Sequence, residues 1–199
     1  MLSLKLNVRN VPDLHQIQDF IDNANADVLV GFLSGRQHVP TQHKNDKGEY
    51  KNIDGKDPVY PQMETAELAK ILTFGSATIP PRPFIEEGLL SKKDELRAEI
   101  GTQLDKIKDG KKANWNKVGT KAVGAIQEFV RSDYYKTHVP NGPKTIRYKG
   151  SDTPLIDGGD LINSLAFVVE GGQGNGEIHT TKGVMTLEEY STASFGGGK

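Results

Sequence analysis

Cysteine is absent from the 199 residues, so disulfides, thiolate metal ligands and a thiol nucleophile are excluded, and the composition is compatible with a reducing cytoplasm. Apolar residues are scarce at 35%. No apolar run approaches the roughly 18 residues that a membrane helix needs. Leu2, Leu4 and Leu6 alternate with polar residues where a signal peptide would be continuously apolar. The expectation is a soluble, unprocessed chain with no membrane partner. A net charge of −1 gives no global pull toward nucleic acid, so any DNA contact must be local. What is present is charge (26%), 22 glycines and 10 prolines. That mixture predicts ordered elements alternating with long polar connections, some ordered only against partners. The length suits one domain spanning 1–199.

Periodicity outlines an α+β fold. Leu2 to Val8 alternates as a half-buried strand does, and Val28 to Leu33 is a short apolar run suited to a central strand covered on both faces. Between them, Leu14, Ile17, Phe20 and Ile21 mark a helix through about Asn23. Residues 35–62 form a long polar loop expected to project toward a neighbouring subunit, and about Arg36 to Tyr60 within it are expected to be mobile in isolation and to order on assembly. Its few apolar side chains, Val39, Ile53, Val59 and Tyr60, are candidate subunit contacts.

Ile85, Leu89, Leu96, Ile100, Leu104 and Ile107 keep one stripe down a single long helix from Phe84 to Asp109. After Gly110 the stripe resumes with Trp115, Val118, Ala122, Ile126, Phe129 and Val130 through about Tyr134. The two helices predict an antiparallel pair packed on a small mixed or antiparallel sheet. A second loop spans 136–153. Asp160 is placed to cap a short helix, Leu165 to Glu170 reads as a strand, and Gly171 to Gly176 turns it into a hairpin with Glu177 to Thr181. Thr186 and Glu189 have capping-box spacing, and 191–199 is expected to be a flexible tail.

The most informative stretch runs from Ala66 to Gly88. Leu68, Ile71 and Leu72 share a helical face that ends at Gly75, which is expected in the left-handed conformation. Pro80, Pro81 and Pro83 then stiffen an elbow, with Pro83 suited to the first turn of the next helix. Arg82 and Phe84 in this elbow are further subunit-interface candidates, since arginine is enriched at binding hot spots.

A helix ending in phenylalanine and glycine, an IPPRPF turn and a long helix together resemble the neck and tail-completion proteins of tailed bacteriophages. That family includes lambda minor tail protein Z, Mu-type virion morphogenesis proteins and HK-type neck proteins. Gly119 to Ile126 (GTKAVGAI) and Pro154 to Ser164 (PLIDGGDLINS) fit its pattern in the same order. Gly158 stands where the family usually has threonine. The resemblance covers roughly Val28 to Val169. It implies a structural virion protein, not an enzyme, with no cofactor or metal. It further implies a homo-oligomeric ring at the head–tail junction, assembled in the host bacterial cytoplasm, contacting other neck, connector and tail proteins and the DNA in the channel.

Other constellations have simpler readings. His38, His43, Asp46 and Glu49 gather metal-ligand chemistry in one loop, the basis of an alternative reading as a metal-dependent hydrolase or nuclease. Their spacing fits no standard zinc motif. Lys108, Lys111 and Lys112 lie in a lysine cluster that could face DNA or an acidic partner, although Asp105 and Asp109 intersperse it as on a solvated face. Asp157 and Asp160 read as turn and cap residues ahead of a paired-carboxylate site. GGQGNG, from Gly171 to Gly176, lacks the lysine of a phosphate loop.

Overall fold

The computed structural model describes residues 14–38, 63–172, 174 and 176–195. The fold is α+β, with helices against a four-stranded antiparallel sheet of order β1-β2-β3-β4. Helix α1 spans Leu14–Ala24, and the strands are β1 (Ala26–Gly31), β2 (Ala166–Gly171), β3 (Ile178–Thr180) and β4 (Gly183–Met185). β1 pairs along its whole length with β2, from Ala26 opposite Gly171 to Gly31 opposite Ala166. Residues 32–165 intervene between these neighbours. The expected strand Leu2 to Val8 lies outside the described residues.

The long connection is helical. It contains α2 (Thr65–Phe74), α3 (Phe84–Ser91), α4 (Lys93–Lys108), α5 (Asn116–Arg131), α6 (Asp133–His138), α7 (Pro143–Lys149) and the single turn α8 (Asp160–Asn163). Helix α5 lies on the sheet, α3 packs against it, and α4 runs antiparallel along it. Gly88 meets Ile126; Lys92 pairs with Glu128 and Glu99 with Lys121, so residue numbers fall on α5 as they rise into α4. Two close approaches fix this packing. A Cβ on Gly88 would stand 2.8 Å from the Ile126 Cα, and one on Gly119 would stand 2.2 Å from the Phe167 ring. Only glycine lets α5 settle directly onto β2.

Alternation along β2 sorts two clusters. Phe167 and Val169 join the main core with Phe84, Val118, Val123, Ile126, Val130, Tyr135, Ile162 and Leu165. Ala166 belongs to a second cluster with Ile178, Tyr190 and Phe195, the latter two carried on and after the last helix, α9 (Leu187–Thr192). Thr186 opens α9 with the expected capping box, its hydroxyl accepting from the Glu189 N–H while the Glu189 carboxylate accepts from the Thr186 N–H.

Several expectations are corrected. The single helix from Phe84 to Asp109 is interrupted at Lys92, with φ −119°. The Ser91 hydroxyl donates to the Gly88 carbonyl and the Lys92 N–H turns to Leu89, local bonds that compete with the helical ladder. The helix expected through Tyr134 stops at Arg131, because the Ser132 hydroxyl caps α6. The loop 136–153 holds α7, begun by Pro143 in the first turn and ended by left-handed Gly150. β1 terminates the described sheet instead of lying within it, and Leu29 is 53% exposed. Gly75 has φ 79° but ψ 178°, a glycine conformation outside the left-handed helical region. The expected tail from 191 onward is part of the fold as far as Phe195, which is buried.

Candidate functional site

The polar centre of the molecule is Arg36. Its side chain is fully buried, an arrangement that demands partners for every donor. The guanidinium grips Asp160 through both terminal nitrogens, Nη1 at 3.1 Å from Oδ2 and Nη2 against Oδ1. Nη1 also donates to Thr65 Oγ1 at 2.7 Å, and Nε donates to the Ala193 carbonyl at 3.0 Å. Phe195 stacks on the guanidinium at 5.0 Å and donates its own N–H to Asp160 Oδ1. His38 Nδ1 stands 3.1 Å from Asp160 Oδ2, within ion-pair range though not aligned as a hydrogen bond.

This clasp joins three distant pieces of chain. One is a short ribbon in which Gln37 pairs with Glu64, Thr65 N–H bonds the Arg36 carbonyl and His38 N–H bonds the Met63 carbonyl. The ribbon is the stem of the 35–62 segment. The others are α8 and the end of the described chain. Asp160 therefore does not cap α8. Gly159 occupies the cap position, and the carboxylate is spent on Arg36.

Beside the clasp, α2, the elbow, α7 and residues 155–161 enclose a cavity of about 190 Å³, lined by Leu68, Leu72, Arg82, Lys149, Leu155 and Asp157 among others. The elbow is tied to α2 because the Arg82 N–H donates back to the carbonyls of Leu72 and Thr73. The Arg82 side chain is half-buried, and its Nη2 is 3.5 Å from the Pro140 carbonyl. Its Nε is buried with no hydrogen-bond partner among the described residues. Lys149 donates to the Thr153 carbonyl at 2.8 Å. Burial pushes its pKa down, Asp157 and Asp152 oppose that, and Arg82 adds to it.

The residues expected to act are scattered. Arg82 lines the cavity, whereas Phe84 is wholly buried and packs edge-to-face on Phe32 at 6.3 Å. It belongs to the hydrophobic core and presents no exposed surface, so the expected interface role of Phe84 is corrected. Val39, Ile53, Val59 and Tyr60 lie outside the described residues, as do His43, Asp46 and Glu49. Lys108, Lys111 and Lys112 are exposed, with Lys108 paired to Asp105 at 3.0 Å and Lys111 to Asp109 at 3.4 Å. Among the described residues no group of three or more His, Asp or Glu side chains is placed to hold a metal ion, and no helix is long and apolar enough to cross a membrane.

Sequence reasoning missed Arg36 and Lys149. Nothing in the local pattern marks Arg36 as buried, since its partners lie 29 and 124 residues away. No protein-family model, curated protein or solved structure matches the chain.

Proposed function

We propose that the chain is a structural subunit of a bacteriophage neck or tail-completion ring at the head–tail junction, assembled in the host cytoplasm with other neck, connector and tail proteins. It performs no chemistry in this reading. One observation carries the proposal: the three segments on which the resemblance rests pack against one another. Leu72 and Arg82 share a cavity with residues 155–161, Gly88 closes on Ile126, and Gln127, one residue past the second segment, donates to the Ile162 carbonyl at 3.0 Å. Packing into one unit is what a set of architectural motifs requires.

The clasp supports the same reading. It fixes the stem of the 35–62 segment to the body, so a contact made by that segment would be transmitted to the core. A ring needs heterologous contacts that close by rotation, and a segment based on a rigid stem suits them. Lys108 and Lys111 have acidic partners and are assigned to solvent, with at most weak contact to channel DNA.

Native mass spectrometry with negative-stain electron microscopy of the purified protein, alone and with its neighbouring virion proteins, tests the proposal. Closed rings of one size are expected. A permanent monomer that degrades DNA with Mn²⁺ or Zn²⁺, and loses turnover in His38→Ala or His43→Ala, would establish the metal-dependent nuclease instead.

A further inference from the structure

From the cavity between the elbow and α7, we infer a binding site for a carboxylate carried on a short aliphatic stem, the chemistry of a glutamate side chain on another chain. Two cations, Arg82 and Lys149, line it. Asp160 is already engaged by Arg36, so among the arginine, lysine and aspartate side chains lining the cavity only Asp157 offsets them. The balance is one positive charge, and one entering carboxylate neutralises it. The Arg82 guanidinium is half-buried, and its Nη2 makes a long 3.5 Å contact with the Pro140 carbonyl, so the group has capacity for a further acceptor. Guanidinium geometry favours planar carboxylates through paired hydrogen bonds.

Size and wall chemistry narrow the ligand. The volume of about 190 Å³ holds the equivalent of roughly six waters and lies below the range of drug-sized pockets. One side chain fits this volume. Leu68, Leu72 and Leu155 supply apolar walls for methylene groups, surface that inorganic phosphate would leave unused. The chemistry of the pocket is independent of whether the chain closes into rings, so the isolated protein suffices to test it.

The probe is glutarate, titrated by calorimetry and by amide NMR at constant ionic strength, with acetate and inorganic phosphate as parallel arms. Glutarate is expected to bind in the millimolar range, at least fivefold more tightly than either comparator, with shifts at Asn141, Leu155 and Gly158. Arg82→Gln and Lys149→Gln should each weaken it at least tenfold, while their circular dichroism and melting stay near those of the parent. Phosphate binding as tight as glutarate would overturn the assignment in favour of a phosphate site. No saturable binding of any probe to 50 mM, roughly the weak limit for a built site, or equal binding by both variants, would overturn the site itself.

Discussion

Arg36 and Asp160 stand 124 residues apart in sequence and form a two-pronged ion pair inside the protein. Burying two charges is expensive, and their attraction offsets that cost only where the remaining hydrogen-bonding positions are filled. Here Thr65, Ala193 and the Phe195 N–H fill them. The pair is therefore a specificity device, fixing which segments meet, more than a source of net stability.

Removing one partner should be severe. Arg36→Ala or Asp160→Ala leaves a buried charge uncompensated and should cost about 3 to 5 kcal/mol. The double variant Arg36→Ala/Asp160→Ala should cost less than the sum of the single changes, because the unpaired charge disappears. Urea unfolding of the four proteins reads the coupling. Additive losses would mean that the two groups do not act as a pair.

Two glycines in α5 should respond oppositely to alanine. Gly119→Ala drives a methyl into the Phe167 ring and should destabilise by about 1 to 3 kcal/mol. Gly124 has nothing within 4 Å of its would-be Cβ. Gly124→Ala should then stabilise by roughly 0.5 to 1 kcal/mol through helix propensity alone. Thermal melting distinguishes them, and the same sign for both would contradict the proposed packing of α5 on β2.

The elbow separates core from surface. Phe84→Ala should cost about 3 to 5 kcal/mol, as truncation of a buried aromatic does. Arg82→Gln should change stability by less than about 1 kcal/mol, because its donor Nε already lacks a partner. Chemical denaturation of both variants tests the division.

Two buried tyrosines set the alkaline limit. Burial is the main cause raising the pKa of Tyr135 and Tyr190 above the ordinary phenol value. A raised folded pKa means that their contribution is complete below about pH 10 and is lost as pH climbs past it, where the unfolded phenols ionise first. Stability should fall above that pH, and Tyr135→Phe or Tyr190→Phe should each flatten the fall. At pH 7 the variants should differ. The Tyr135 hydroxyl has no hydrogen-bond partner among the described residues, so its loss should be neutral or stabilising, whereas the Tyr190 hydroxyl donates to the Ser164 carbonyl at 2.8 Å and its loss should cost about 1 kcal/mol. Urea titrations from pH 7 to 11 would show both effects.

Local chemistry was the readable part of this fold. The Thr186 and Glu189 cap, the spacing along α5 and the short apolar run of β2 each depend on neighbours within a few residues, which is the range a sequence pattern reports. Lys92 escaped because its break comes from a serine back-bond with no proline or glycine at the joint. β4 escaped because Gly183 to Met185 is too short for a period to register. In the candidate site Arg82 was legible from the prolines around it. Arg36 and Lys149 were not, since burial of a cation is decided by partners that the fold brings from afar.

The most direct measurement of the structural-subunit reading is electron microscopy of tailed particles from a lysate carrying this gene, with the chain labelled by a gold-binding tag at its C-terminus. The account expects label confined to the head–tail junction, in a fixed number of copies per particle. Purified particles without label, alongside abundant free protein in the same lysate, would contradict it.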